Sequence, residues 1–251
     1  MAIRLSKRLT ALANMVTDGN RLADIGTDHG YIPIYLCQTG KIPSALAMDI
    51  GKGPLQQAQT HIAEHGLSEQ IKIRLSDGMA ALQSGEADTI LIAGMGGGLV
   101  MKILSEGAEK LTGREELILQ PQSEITLVRE FLRMRNFQIL DEDMILEDGK
   151  YYPMMKVIKQ KAAEQTKDVP QNVADAFGPI LLQKRHPVLK EWLERELKTT
   201  DTVMEQLSAQ PDHERIRNRM QQVNCKKMLI LEALKNYGTE NVQIGRASCR
   251  E

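Results

Sequence analysis

Ala23-Asp24-Ile25-Gly26-Thr27-Asp28-His29-Gly30 is the stretch that decides the fold. It follows a polar turn, Thr17 to Arg21, and leads into Tyr31-Ile32-Pro33-Ile34-Tyr35-Leu36. An apolar run closing on an acid, then a glycine-bearing loop, then a fresh apolar run reads as buried strand, loop and helix start. Gly26 and Gly30 carry no Cβ, so backbone there can approach a ligand closely. The helix that follows offers free N–H groups and the positive end of its dipole. Such loops hold nucleotide-like ligands at the carboxyl edge of a parallel sheet.

The spacing narrows the ligand. A dinucleotide fingerprint, G-x-G-x-x-G, sets its second glycine against a pyrophosphate. Here the glycines are Gly26 and Gly30, and Asp28 stands where that second glycine would be. A carboxylate there repels a pyrophosphate and suits an ammonium or sulfonium, which points to S-adenosylmethionine. A plain strand-to-helix turn remains the alternative for this loop taken alone. Three further strands strengthen the reading. Ser44–Asp49 ends in an acid able to accept two hydrogen bonds from ribose hydroxyls. Ile71–Leu75 runs into Ser76-Asp77-Gly78, an acid for an adenine amino group with a glycine giving room for the ring. Asp88–Ala93 runs into Gly94-Met95-Gly96-Gly97-Gly98. Four strands thus end in Asp or Gly on one sheet edge. The expected cofactor-binding set is Asp24, Gly26, Asp28, Gly30, Asp49, Asp77, Gly78 and Gly94.

Composition limits the rest. The 251 residues carry 32 Lys+Arg against 33 Asp+Glu, a net charge of −1, with no crude nucleic-acid signature. Residues 1–160 hold 17 basic and 20 acidic residues and residues 161–251 hold 15 and 13, so the second part is mildly basic. No apolar run approaches a bilayer span, and Met1 to Arg8 lacks the apolar stretch of a secretory signal. Cys37, Cys225 and Cys249 are odd in number and have no zinc-ligand spacing. Neither a disulfide nor a metal is expected, and a cytoplasmic location is.

Strand and helix signals alternate: a helix from a Ser6 cap to Met15, strand 22–25, helix 31–38, strand 44–49, helix 53–64, strand 71–75, helix 78–84, strand 88–93, helix 97–106 and strand 116–120. Ser123 is then placed as the cap of a helix whose apolar face holds Ile125, Val128 and Leu132. Phe137–Leu140 and Tyr151–Lys159 read as an antiparallel pair across the charged loop Glu147-Asp148-Gly149-Lys150. The expectation is α/β, a Rossmann-like sheet resembling the class I methyltransferases. Residues 1–160 form this domain. After a polar linker with Pro170, residues 161–238 read as wholly helical. Two long amphipathic helices, one opened by Pro187 and one ending at Gly238, make an antiparallel hairpin of coiled-coil character. Its seam is imperfect at Glu196, Thr200 and Lys227. Residues 239–251 read as an aperiodic tail, its end as an artificial appendage.

Asp24 to Pro33, Ala93-Gly94-Met95-Gly96-Gly97 and Leu119-Gln120-Pro121-Gln122, in that order, resemble the bacterial tRNA (adenine-22-N1)-methyltransferases. The helical hairpin after Phe177-Gly178-Pro179 matches the two-domain plan of that family, so the resemblance spans about residues 1–237. It implies methyl transfer from S-adenosylmethionine to N1 of adenine 22 in the tRNA D-arm. Nothing in composition or spacing names that nucleotide.

The chemistry is compatible. Neutral adenine N1 has its own lone pair, so the enzyme's task is alignment and exclusion of water. Charge moves onto the base, which a carboxylate or carbonyl stabilises. Amino-methylating adenine enzymes carry N/D-P-P-Y/F/W after strand four, and Ala93–Gly97 departs from it. The glycine run is either a bare wall for a flat base or a close-packed helix start. Asp28 and His29 are the candidate catalytic residues. Tyr31, Met95, Gly96, Gln120, Pro121 and Gln122 are candidates for the base. Arg4, Lys7 and Arg8, placed on the first helix, and Arg215, Arg217 and Arg219 on the last are candidates for RNA phosphates. His61, His65, His186 and His213 are set aside as surface or structural. The partner expected is tRNA, with no membrane, no required protein partner and a monomeric enzyme. Competing expectations are a class I methyltransferase for another RNA, a protein or a small molecule; a nicotinamide oxidoreductase; and a non-catalytic RNA-binding module.

Overall fold

Strand β1 (Leu22–Ile25) is buried at all four positions and runs through the middle of a seven-stranded sheet. The computed structural model describes residues 3–160 and 169–238. The chain divides into two units, Met1–Glu164 and Gln165–Glu251. The expected tail, 239–251, and most of the linker lie outside the described residues.

The other strands are β2 (Ala45–Asp49), β3 (Ile71–Leu75), β4 (Thr89–Met95), β5 (Glu116–Pro121), β6 (Phe137–Glu147) and β7 (Lys150–Lys159). Their order is β3-β2-β1-β4-β5-β7-β6. The first five pair in parallel, and β7 runs antiparallel to β5 and β6. Ile25 aligns with Met48 on one side and Ile92 on the other, so the loops after β1, β2 and β4 leave one edge at one level.

Helices cover both faces, which is why the central strands read as unbroken apolar runs. On one face, Leu12 of α1 (Lys7–Met15), Ile34 and Leu36 of α2 (Tyr31–Gln38) and Ile62 of α3 (Lys52–Glu64) pack with Leu22 and Leu91. On the other, Val100 and Leu104 of α4 (Gly97–Glu106) and Val128 and Leu132 of α5 (Ile125–Met134) pack with Ile25, Ile90 and Ile92. Ser6 caps α1 as expected, accepting the Leu9 N–H at 3.3 Å. Arg4 therefore precedes that helix rather than lying on it.

Three expectations are corrected. No helix forms over 78–84. The Ser76 hydroxyl donates to the Gly78 carbonyl (2.9 Å) and accepts the Ala81 N–H (3.0 Å), fixing a turn that still buries Met79 and Leu82. Strand β6 continues past Leu140 to Glu147, through an acidic run that reads as loop. It can, because Glu142 is buried in an ion pair with Arg129 of α5 at 2.9 Å. Asp148 and Gly149, both at positive φ, close the hairpin as that turn type requires. Ser123 does not cap α5. The residue before that helix is Glu124 in the left-handed region, and the Ser123 hydroxyl serves α4 instead.

The second unit holds α6 (Gln171–Phe177), α7 (Pro179–Gln183), α8 (Pro187–Ser208) and α9 (Glu214–Lys235). Gly178 at φ +95° breaks α6 from α7, and Pro187 opens α8. Leu189, Leu193, Thr200 and Leu207 of α8 and Val223, Ile230, Leu231 and Leu234 of α9 are buried. Of the polar seam positions, Glu196 and Lys227 make cross-hairpin ion pairs, Lys226–Glu196 and Lys227–Asp201, each 2.6 Å, and the buried Thr200 hydroxyl donates to the Glu196 carbonyl at 2.6 Å. Cys37 is a free, buried thiol. No helix among the described residues is long and apolar enough to cross a membrane.

Candidate active site

The first half of the 26–30 loop is fastened to the ends of β1 and β2. Gly26 and Thr27 donate their N–H groups to the Met48 carbonyl at 2.8 and 2.9 Å. The Thr27 hydroxyl donates to Asp24 Oδ2 at 2.7 Å. Asp24 is buried, and burial pushes its carboxyl up to about 7; the Thr27 hydrogen bond opposes this and nearby Asp49 adds to it. Asp28 sits at φ +54° with its side chain exposed. Its N–H donates to Asp49 Oδ2 at 3.3 Å, while Asp49 Oδ1 accepts the Gly51 N–H at 2.8 Å. One carboxylate at the end of β2 thereby ties that strand end to the glycine loop.

The remaining loop residues turn outward onto α2 and α3. Gly30 is left-handed, and a Cβ there would meet Ala58 Cβ at 3.4 Å, so its bareness also serves helix packing. His29 Nε2 is 3.6 Å from Asp28 Oδ2. The His29, Tyr31 and His61 rings lie with centroids 5.3, 5.5 and 5.7 Å apart and planes within 29° of parallel. His29 Nδ1 is buried with no hydrogen-bond partner among the described residues. The Ser76 N–H on the Asp49 carbonyl, 2.9 Å, sets exposed Asp77 one residue beyond the β2 end. A Cβ on Gly78 would lie 3.0 Å from Ile103, so that glycine lets α4 close in.

At the ends of β4 and β5 the chain bulges. Ala93 pairs with Gln120 and Met95 with Pro121, leaving Gly94 as the extra residue, exposed and at φ +77°. Gln120 is fully buried. Its Oε1 accepts the Gly94 N–H at 3.2 Å and Arg8 Nη1 at 3.0 Å, and its Nε2 donates to the Pro121 carbonyl at 3.3 Å. The Arg8 guanidinium also lies over the Tyr152 ring, 5.4 Å from its centre. The Gln122 backbone N–H holds the Met95 carbonyl at 2.8 Å. Met95 lays its methyl tip against Gly26. Gly97 is needed for packing, since a Cβ there would strike the Ser123 carbonyl and crowd Glu124 and Val128. Gly94 is exposed, and a Cβ there would lie 3.8 Å from Arg8 Nη1 and from Gln122 Nε2. The start of α4 is no free anion site, because Ser123 Oγ accepts the Gly97 N–H (3.2 Å) and Glu124 Oε2 the Gly98 N–H (2.9 Å). Gly96 is the exposed residue before that helix.

Of the basic candidates, Arg4 and Lys7 are exposed and Arg8 is half-buried. In the second unit, Arg217 is paired with Asp212 at 2.7 Å. Arg215 and Arg219, with Gln210, Asn218 and Gln222, line a cleft of about 730 Å³. Tyr152 and Glu124 were missed from sequence, and His61, set aside there as surface or structural, stacks on His29 and Tyr31. Their signals are long-range contacts, which no local spacing reports.

An α/β sheet in this order, with acids and glycines along its carboxyl edge, has the architecture of the Rossmann-like methyltransferases. A family profile described as "TrmK: tRNA (adenine(22)-N(1))-methyltransferase" matches residues 22–229. The tRNA (adenine(22)-N(1))-methyltransferase of Bacillus subtilis (strain 168) is 35% identical over 233 residues, 92% of this chain and 98% of that protein. The crystal structure of the B. subtilis m1A22 tRNA methyltransferase TrmK superposes with a TM-score of 0.82 at 34% identity, covering 92% of this chain and 99% of the other. A Streptococcus pneumoniae protein, Sp1610, in complex with S-adenosyl-L-methionine gives 0.79 at 34% identity, covering 92% and 100%. M. capricolum TrmK bound to S-adenosyl-homocysteine gives 0.73 at 27% identity, covering 90% and 99%. The chain belongs to the TrmK family of tRNA (adenine(22)-N(1))-methyltransferases. Its reaction is methylation of tRNA at N1 of adenine 22.

Proposed function

We propose that residues 1–160 hold the methyl donor where the ends of β1 and β2 meet, and that adenine 22 enters over the Gly94 bulge. The observation that carries this is the hydrogen bond from the Asp28 N–H to Asp49, level with that bulge. The donor, when bound, supplies an electrophilic methyl group on a sulfonium. Asp49 keeps lone pairs for ribose hydroxyls, and Asp77 faces an adenine amino group. Asp28 offers an exposed carboxylate to the donor's ammonium. Gly26 and Gly30 shape the loop, and buried Asp24 holds it through Thr27.

No covalent nucleophile is required of the protein, because adenine N1 brings its own lone pair. The chain has to orient the base and exclude water. Adenine N1 lies on the Watson–Crick edge, so the base must leave its stack first. Tyr31 then offers a ring face, Met95 and Gly96 a wall, Gln122 an amide, and buried Gln120 with Pro121 the frame behind them. Asp28, with His29 beside it, is the carboxylate set to stabilise charge developing on the base. Arg4, Lys7 and Arg8, and Arg215, Arg217 and Arg219 on the 161–238 hairpin, contact RNA phosphates. One copy suffices in this reading, and it works in the cytoplasm beside its tRNA.

The test is to incubate unmodified tRNA with the protein and labelled donor, then map reverse-transcription stops. A single stop at adenine 22 that is lost in Asp28→Ala supports the assignment. A stop that survives Asp28→Ala at the parent rate removes Asp28 from the chemistry. Sedimentation at working concentration tests the single-copy reading.

A further inference from the structure

We infer that Arg8 and Gln122 form an oxyanion seat beside the Gly94 bulge, with buried Gln120 as its positioning residue. This rests on the proposed entry of the substrate over Gly94.

The seat is built rather than incidental. Arg8 is on α1 and Gln120 at the end of β5, 112 positions apart in the chain. Arginine on an exposed helix sweeps many rotamers. This one is held at two points: its Nη1 on a carboxamide with no solvent exposure, and its plane over Tyr152. The same Gln120 oxygen accepts the Gly94 N–H, so one buried side chain sets both the guanidinium and the bulged peptide. The side chains of Arg8 and Gln122 converge there. Arg8 Nη1 and Gln122 Nε2 each stand 3.8 Å from the point where a Gly94 Cβ would be. Guanidinium has five N–H donors in a planar fork, and Gln120 takes one. The rest, with the Gln122 amide, make a donor-rich rim around an exposed glycine.

Charge decides what that rim accepts. The adenine ring becomes positive as the methyl arrives, so a guanidinium aimed at the ring would oppose the reaction. An anion is its natural partner, and two are brought to this edge: an RNA phosphate next to the reactive adenosine, and the carboxylate of the donor. Both present oxygens in the geometry a planar fork prefers. The β4–β5 edge is the proposed substrate side, which favours the phosphate.

The test uses Arg8→Gln and the conservative Arg8→Lys in the full chain. Binding of S-adenosyl-homocysteine is measured by calorimetry, and tRNA affinity is measured across a salt series. If the seat takes a phosphate, Arg8→Gln lowers tRNA affinity about tenfold and flattens the salt dependence by about one ion. Arg8→Lys then restores the slope more than the affinity, and the affinity for S-adenosyl-homocysteine is unchanged. If it takes the carboxylate, the loss moves to S-adenosyl-homocysteine and the salt slope for tRNA stays. Either result supports the seat and names its source. Parent values for both ligands in both variants, with unchanged melting temperature, overturn it. Gln120→Leu separates positioning from packing: it should raise KM for tRNA, or for the donor, by the same route as Arg8→Gln while leaving kcat closer to the parent. If the parent itself fails to methylate tRNA at adenine 22, the underlying assignment fails instead.

Discussion

The methyl tip of Met95 rests against the α-carbon of Gly26, so a side chain at Gly26 would collide with Met95 Cε. Gly26 also sits at φ +75°, a conformation that costs an L-residue roughly 1–2 kcal/mol. Gly26→Ala should therefore weaken binding of S-adenosyl-homocysteine by about tenfold or more in calorimetry. Adding Met95→Ala should recover the part due to collision and leave the part due to φ. No recovery would mean that the backbone conformation alone matters.

Asp49→Ala removes the acceptor of the Asp28 and Gly51 N–H groups together with the proposed ribose contact. Hydrogen bonds to a charged group contribute about 1.5–3 kcal/mol each. Affinity for S-adenosyl-homocysteine should fall at least about tenfold, with Asp49→Asn in between. An unchanged affinity would remove the β2 end from the site.

Asp24 gives a pH signature. Its carboxyl moves from an ordinary 3.8 to about 7 because it is buried. The unfolded chain gives up this proton near pH 4, and the folded chain keeps it until about pH 7. The folded state thus binds more protons in between, and stability falls as pH rises through that window, by about 1.4 kcal/mol per pH unit at most, and is level above it. Asp24→Asn should flatten this slope in denaturant titrations at pH 4.5, 6 and 7.5. Parallel curves for parent and variant would place the carboxyl at an ordinary value.

Arg215→Glu with Arg219→Glu should weaken tRNA binding and reduce its salt dependence, with binding of S-adenosyl-homocysteine untouched. Arg217→Ala should do less, since Asp212 already neutralises that guanidinium at 2.7 Å. Equal effects from both in filter binding would show that the Asp212 pair opens on RNA.

Glu142→Ala leaves Arg129 charged and buried at the β6–α5 contact. Breaking such a pair by removing one partner costs about 3–5 kcal/mol. Thermal melting should drop by many degrees, while the affinity of the surviving folded fraction for S-adenosyl-homocysteine stays at the parent value.

Much of this chain is written in short-range pattern. The apolar runs at 22–25, 45–49 and 89–93, each closing on Asp or Gly, identify parallel strands and the edge that binds ligand. The periods of two and near four residues separate sheet from hairpin. Pro187 and Gly178 mark helix boundaries through their own backbone preferences. All of these are local, because the physical cause lies within a few residues of the signal.

The misses share the opposite property. Ser123 has every feature of a helix cap, yet its hydroxyl meets Gly97, which lies 26 positions earlier in the chain. The acidic run at 141–143 looks like loop until Arg129 is brought beside Glu142. Gln120 looks like an amide offered to a base, but the sheet buries it against Gly94 and Arg8. By itself, then, the sequence determined most of the strands and helices, though not the turn at 78–84 or the strand through 141–147, together with where the acids and glycines cluster and the family resemblance. Only the tertiary structure decided which of those polar groups face the open edge and which are consumed in holding it. Side-chain hydrogen bonds pair atoms that the crossovers bring together, and no local period records that.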